Sequence, residues 1–243
     1  MFNEFLSKID LEKNRQKYKS IKCLEADMDK NIQALDCIYK IYWEEPVIPI
    51  PDFDTFYNKY YLTEETKQNV IKFNNSKIGL CNDCLFKGLE ARIYRTWASL
   101  ITQIQGAYCC REVFGDDNVM QSTELDHNGV DIFIKYKTKK IGIQVKKKTE
   151  RREIANRKPE KKELKFVDEM RDIYYFALKD EDIKNPQYIK DGKNFKKGDW
   201  KPYAILFGLD NKTEPVLKLL KNGFTVFTNK YFTDLKDEVA KSE

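Results

Sequence analysis

Three residues near the middle of the chain have side chains suited to metal-assisted hydrolysis: Asp131, Gln144 and Lys146. Asp131 opens the alternating stretch 131–136, and the other two lie in the second alternating stretch, 141–146. Alternation of this kind is typical of β-strands, and the polar segment that joins the two stretches is short enough for a hairpin. The sequence therefore predicts that a carboxylate, an amide and an amine meet across a hairpin.

The expected register follows from a symmetric turn about residues 138–139. Asp131 then lies opposite Lys146, and Phe133 lies opposite Gln144. Because strand side chains alternate between faces, Asp131, Gln144 and Lys146 share one face, with the last two roughly 6–7 Å apart along their strand. The opposite face of the second strand is apolar and suited to the core, and consists of Ile141, Ile143 and Val145.

Hydrolysis of a phosphodiester is the chemistry that these types of residue fit. The reaction needs a divalent cation to offset charge in the transition state and a source of hydroxide near neutral pH. Mg²⁺ prefers oxygen ligands and uses one or two protein carboxylates together with water and substrate phosphate. Asp131 is the candidate ligand, and Lys146 is the candidate group that polarises the attacking water or steadies the phosphate.

A site with only one carboxylate would bind Mg²⁺ poorly, and the amide of Gln144 is neutral, so a second acid is required. Asp126 is the best candidate, since Gly129 lets the intervening turn bring the two carboxylates towards one another. Glu90 and Glu124 are weaker candidates. The alternative interpretation is that Asp131 and Lys146 form an ordinary cross-strand surface pair, which is a common arrangement of small energetic value.

The surrounding pattern predicts an α/β fold with a mixed β-sheet flanked by helices and an N-terminal helical region. We expect a single domain over 1–243, with the helical region at 1–86 and a catalytic α/β core at 87–243. An insertion is expected at about 150–202. The individual elements are helices within 2–42, at 54–73, 87–108 and 216–221, and strands at 119–123, 131–136, 141–146, 173–178, 203–207 and 224–227.

Composition excludes several classes of protein. The content of 41% hydrophobic and 13% aromatic residues is too high for a disordered chain. No run approaches the ~20 apolar residues of a membrane span, and the start lacks the pattern of a signal peptide, so we expect a cytoplasmic protein without a membrane partner. Its cysteines should then remain reduced.

Charge is concentrated rather than extreme. The net charge of +5 permits a polyanionic partner without requiring one. Residues 146–165, however, contain ten Lys or Arg against four Glu, and the run begins at the candidate catalytic strand. Charge runs are usually solvated surface, but a phosphate backbone would have to pass here. The candidate DNA contacts are Lys147, Lys148, Arg151 and Arg152.

The arrangement Asp131…Gln144-Val145-Lys146 resembles the PD-(D/E)xK nuclease superfamily, with glutamine in its variable acidic position. More of the chain resembles one family within it, the TaqI-type type II restriction endonucleases. The stretches that carry this resemblance are in order and cover most of the length: LEKNRQKY (11–18), GLEARIYRT (88–96), ELDHNGVD (124–131), GIQVKK (142–147) and NGFTVF (222–227).

The resemblance implies a restriction-endonuclease-like core in which Asp126 and Asp131 are the acidic pair that holds Mg²⁺ and Lys146 is the catalytic lysine. It also implies cleavage of both strands of double-stranded DNA at T-C-G-A, a homodimer, and a cognate DNA methyltransferase. A two-fold symmetric protein is also the simplest reader of a palindrome. The competing hypotheses are a duplex-DNA-binding protein without catalysis, and a junction-resolving or repair nuclease of the same superfamily.

Overall fold

The structure is a computed structural model, and it describes residues 2–22, 24, 26–148, 167–176, 217–220, 222 and 224–241. The chain divides into two compact units, which are described separately below. The first comprises Met1–Ile104 with Leu220–Phe224, and the second comprises Gln105–Leu219 with Thr225–Glu243. None of the helices in the described ranges is long and apolar enough to cross a membrane.

The first unit is built of helices, as the apolar periodicity predicts. Asp10, Asp52 and Thr63 begin three of them, and each side chain accepts a hydrogen bond from the backbone N–H three residues later. The helices are α1 (Phe2–Lys8), α2 (Leu11–Lys19), α3 (Leu35–Tyr39), α4 (Phe53–Thr55), α5 (Glu64–Phe73) and α6 (Asn82–Phe114), of which residues 82–104 belong to this unit.

Wider π-helical turns extend three of these helices, and a short 3₁₀ turn precedes α3. The π-helical turns are Lys40–Glu44 after α3, Phe56–Tyr61 after α4 and Asn74–Ile78 after α5, and the 3₁₀ turn is Lys30–Ile32. The proline-rich connector 46–51 that follows the first of them is fixed by hydrogen bonds. The fully buried Trp97 donates from Nε1 to the Tyr42 hydroxyl (2.8 Å), which donates to the Pro51 carbonyl (2.8 Å).

The second unit holds the predicted mixed sheet. Its four described strands are β1 (Val119–Met120), β2 (Ile132–Tyr136), β3 (Lys139–Lys148) and β4 (Glu169–Phe176), in the order β1-β2-β3-β4. The first three are antiparallel neighbours, and β3 and β4 run parallel. A separate pair, β5 (Leu217–Leu219) and β6 (Thr225–Phe227), is antiparallel. The helices are the end of α6, the short α7 (Thr123–His127) and α8 (Asn229–Lys241).

The hairpin is confirmed, but its expected register is wrong by two residues. Phe133 lies opposite Gly142 rather than Gln144, and Tyr136 lies opposite Lys139. The two residues Lys137 and Thr138 therefore form the turn, and Lys137 adopts the left-handed conformation with φ 53°. Because the shift is even, each side chain stays on the expected face, and four isoleucines form a fully buried face: Ile132, Ile134, Ile141 and Ile143.

Two other expectations near the C-terminal end are corrected. The segment 216–221 was expected to be helical, but Leu217–Leu219 is a strand whose backbone pairs with β6. A short apolar run fits both periods, and pairing satisfies its backbone groups. The expected strand at 224–227 is confirmed as β6. Helix α8 was not expected, although it buries Phe232, Leu235 and Val239 on one face.

Several other strand bounds differ from those expected. The strand expected at 119–123 ends at Met120, because Ser122 begins α7. The strand expected at 173–178 begins earlier, at Glu169. The strand expected at 203–207 and most of the insertion at about 150–202 lie outside the described residues.

A buried glutamine joins α6 to β6 within the second unit. Gln105, which is 1% exposed, accepts a hydrogen bond from the Phe227 N–H (2.6 Å) and donates to the Phe227 carbonyl (3.0 Å). The side-chain amide thus hydrogen-bonds both backbone polar groups of Phe227. The adjacent Gly106 is small of necessity, since a Cβ there would lie 2.8 Å from the Phe227 ring.

Gln105→Met is expected to lower the free energy of unfolding by about 1–3 kcal/mol, because the buried Phe227 N–H loses its acceptor. Urea denaturation followed by circular dichroism measures the change. Gln68→Met is the matched control, since Gln68 lies exposed on α5, and it should shift stability by no more than about 0.5 kcal/mol. Equal stability of the two variants would contradict the role given to Gln105.

Candidate active site

Asp131 lies just before β2, and both polar groups of its backbone are hydrogen-bonded. Its N–H donates to the Ile143 carbonyl (2.9 Å), and its carbonyl accepts from Nε2 of Gln121 (2.8 Å). The side chain is only 6% exposed, and Oδ2 accepts from the Val145 N–H (2.5 Å). The carboxylate therefore lies against β3 at the residue immediately before Lys146.

Asp126 is placed by α7 and by the turn that follows it. Ser122 caps the helix by accepting from the Leu125 N–H (3.2 Å). Gly129 then adopts φ 79°, a conformation that favours glycine, and its N–H donates to the Asp126 carbonyl (2.8 Å). The chain reverses as expected, and it brings the backbone of Asp126, whose side chain is partly exposed, back to the turn before Asp131.

Gln144 meets the same turn from β3. A Cβ built on Gly129 would lie 3.4 Å from Nε2 of Gln144. Continuation of the hairpin register places Gln144, rather than Lys146, opposite Asp131, because Ile132 pairs with Ile143. Asp131 and Gln144 thus lie beside the Gly129 turn, and Gln144 is nearer to Asp131 than the expected register placed it.

Lys146 lies two residues beyond Gln144 along β3. Its backbone is paired with Tyr174 of β4, so its position in the sheet is fixed on that side. Lys147 and Lys148 complete β3. The side chains of these three lysines lie outside the described part of the structure, as do Arg151 and Arg152 entirely.

The two weaker acid candidates have different surroundings. Oε1 of Glu90, in the first unit, accepts from Nζ of Lys17 (2.6 Å) and from the Tyr18 hydroxyl (2.7 Å). These bonds tie α2 to α6. Burial and the adjacent Glu90 carboxylate raise the pKa of Tyr18, so the phenol stays protonated and keeps donating. Glu124 is exposed in the first turn of α7.

The donor set of the second unit fits a hard divalent cation. Asp126 and Asp131 are the carboxylates on either side of the Gly129 turn, and Gln144 adds a neutral amide at that turn. Within the described ranges, no three His, Cys, Asp or Glu side chains form a group able to hold a metal. A cation that takes most of its ligands from water and a phosphate, as Mg²⁺ does, suits a site with two carboxylates.

Gln121 is the residue at this site that sequence reasoning missed. It is 4% exposed and contacts the Asp131 carbonyl. In the sequence Gln121 stands between a short apolar strand and the Ser122 cap. A polar residue at such a place usually lies in an exposed turn, so the sequence pattern does not indicate that Gln121 is buried.

The chain is similar over nearly its whole length to known proteins. The family model for the TaqI restriction endonuclease matches residues 1–239. The type II restriction enzyme TthHB8I of Thermus thermophilus is 28% identical, over 97% of this chain and 86% of its own length. The type II restriction enzyme TaqI of Thermus aquaticus is 27% identical, over 97% and 85%. No solved structure matches. The chain therefore belongs to the TaqI restriction endonuclease family.

Proposed function

We propose that this protein is a type II restriction endonuclease that cleaves both strands of double-stranded DNA in an Mg²⁺-dependent reaction. The observation that carries the proposal is the buried Asp131 carboxylate, which β3 holds beside Val145, the residue before Lys146. A carboxylate that is buried at a strand end and held there by hydrogen bonds is a candidate for a catalytic group. Membership of the family supplies the class of reaction.

Each functional residue has a separate role in this proposal. Asp131 and Asp126 hold the cation, and Lys146 orients the attacking water or the scissile phosphate. When bound, Mg²⁺ neutralises charge on the phosphate oxygens and lowers the pKa of water. Gln144 contributes a neutral amide where a third carboxylate would add charge repulsion with DNA. Together these residues form a PD-(D/E)xK site with glutamine in the variable position.

The remaining parts of the proposal concern the DNA and the partners. The basic segment that begins at Lys146 contacts the phosphate backbone through Lys147, Lys148, Arg151 and Arg152. The target is a short palindrome, T-C-G-A, which a homodimer reads with one subunit on each half-site. A cognate methyltransferase protects the same sequence in the host, and both enzymes work in the cytoplasm, where the DNA is.

Digestion of unmethylated plasmid tests the proposal. The purified protein is incubated with plasmid with and without Mg²⁺, and the fragment ends are sequenced. We expect discrete, Mg²⁺-dependent fragments that end at T-C-G-A in both strands. Discrete fragments that end at another sequence would support the endonuclease activity and show that the target is a different sequence.

Two outcomes would overturn the proposal. Plasmid left uncut across divalent ions and salt concentrations, but still bound, would leave a duplex-binding protein without catalysis. A clear preference for branched over linear DNA would favour a junction-resolving nuclease of the same superfamily.

A further inference from the structure

Gln121 and Ser122 stand where β1 ends, and each of these neighbours fixes one of the two proposed metal ligands. Backbone pairing between β1 and β2 stops at Met120, which faces Phe133. Beyond that point the Gln121 side chain continues the connection, with Nε2 2.8 Å from the Asp131 carbonyl. Ser122 caps the helix that carries Asp126. These two adjacent residues thus fix the positions at which the segments of Asp126 and Asp131 begin.

The other amide atom of Gln121 is unusual. Oε1 is buried and has no hydrogen-bond partner among the described residues. A buried acceptor without a donor costs about 1–3 kcal/mol. Gln105, the other buried glutamine of this unit that holds a backbone, uses both its amide oxygen and its amide nitrogen on Phe227. Gln121 therefore keeps an unused acceptor beside the residue that is proposed to bind the cation.

We propose that Gln121 is a positioning residue for Asp131, which fixes the backbone of this ligand through Nε2 and offers Oε1 to the water shell of the bound cation. This inference rests on the proposed function. Mg²⁺ retains several of its waters in protein sites, and each such water is a strong hydrogen-bond donor. An acceptor that finds no donor in the protein suits one of them. Residues in this outer position commonly change metal affinity by about 10–100-fold.

The test compares two buried glutamines that differ in what they hold. Both Gln121→Met and Gln105→Met replace a buried side-chain amide of the second unit with an apolar side chain of similar size. Two concentrations are measured for each variant: the Mg²⁺ concentration that half-saturates plasmid cleavage, and the Ca²⁺ concentration that half-saturates duplex binding. The second is followed by fluorescence anisotropy with a labelled duplex that contains the sequence cut in the plasmid, and it does not depend on catalysis.

We expect Gln121→Met to raise both half-saturating concentrations at least about tenfold. Gln105→Met should leave both within about twofold of the unchanged protein, although it lowers stability. Equal shifts in the two variants, or no shift in either, would show that Gln121 is only a structural residue.

Gln121→Glu gives an independent readout if the methionine variant does not fold. Burial favours the neutral form of a carboxylic acid, and a protonated glutamic acid donates and accepts as the amide does. The half-saturating Ca²⁺ concentration of Gln121→Glu should therefore approach that of the unchanged protein as the pH falls towards 5. A half-saturating Ca²⁺ concentration of Gln121→Glu that is still at least about tenfold above that of the unchanged protein at pH 5 would contradict the inference.

Failure of this inference is distinguishable from failure of the proposed function. Asp131→Asn is assayed in parallel. If Asp131→Asn loses cleavage while Gln121→Met keeps a normal metal dependence, only the role of Gln121 is overturned. If Asp131→Asn cleaves with a normal metal dependence, the proposed metal site itself is overturned.

Discussion

Asp131→Asn is expected to reduce Mg²⁺-dependent cleavage at least about a thousandfold. A metal ligand contributes several kcal/mol of transition-state stabilisation, and each 1.36 kcal/mol corresponds to a factor of ten. The fold should survive, because the asparagine oxygen can still accept from the Val145 N–H that now binds Oδ2. Initial rates of plasmid cleavage at saturating Mg²⁺ measure the effect.

Asp117→Asn serves as the control for this variant. Asp117 is an exposed carboxylate of the same unit, and its removal changes the net charge by the same amount. We expect its cleavage rate to stay within about threefold, since surface changes away from a site have small effects. Duplex binding in EDTA should be unchanged or tighter for both variants because each loses one negative charge. Cleavage by Asp131→Asn within tenfold of the unchanged protein would refute the assignment.

Lys146→Ala is expected to lower the cleavage rate about 10²–10⁴-fold, the range usual for a group that assists proton transfer. Duplex binding in Ca²⁺ should persist, because the carboxylates and the rest of the basic segment remain. The measurement pairs single-turnover cleavage with fluorescence anisotropy on the same duplex. A protein that only bound DNA would show no cleavage to lose.

Lys140→Ala is the control that tests whether cleavage depends on the position of Lys146 or only on its positive charge. Lys140 lies on the same strand as Lys146, but at the end of the strand beside the hairpin turn. Both substitutions remove one positive charge, so both should reduce the salt dependence of duplex binding similarly if both lysines contact phosphates. Only Lys146→Ala should lose cleavage. Equal loss in the two variants would assign the effect to charge alone.

The hairpin shows how far sequence could predict the site. Alternation predicted that Asp131 and Gln144 lie on one face, and continuation of the register beyond Ile132 and Ile143 places these two residues opposite one another. The register was not predictable, because a positive φ at Lys137 has no signal in a run of lysine and threonine, where glycine or asparagine would have marked the turn. The error in the register did not change the predicted faces of Asp131 and Gln144, because the shift was an even number of residues.

Other parts of the structure depend on contacts that a local pattern does not contain. Leu217–Leu219 is a strand because β6 is available to pair with it, and its own residues fit a helix as well. Gln121 is functional in our proposal because its side chain is buried against Asp131, and burial of a single glutamine is decided by tertiary packing. Gly129, in contrast, was readable, since a reversal between two acids favours glycine.

The contacts that frame Asp131 are close in the chain. Gln121 and Asp131 are ten residues apart, and Asp131 and Val145 are fourteen apart, whereas Gln105 and Phe227 are separated by 122. Closing a short loop costs less entropy, and local contacts form faster than distant ones. The hairpin and its acids can thus assemble early during folding, on the microsecond scale of hairpins, before α6 captures β6. We therefore expect the contacts around Asp131 to form before the contact between α6 and β6, so that late folding steps do not determine the geometry at Asp131.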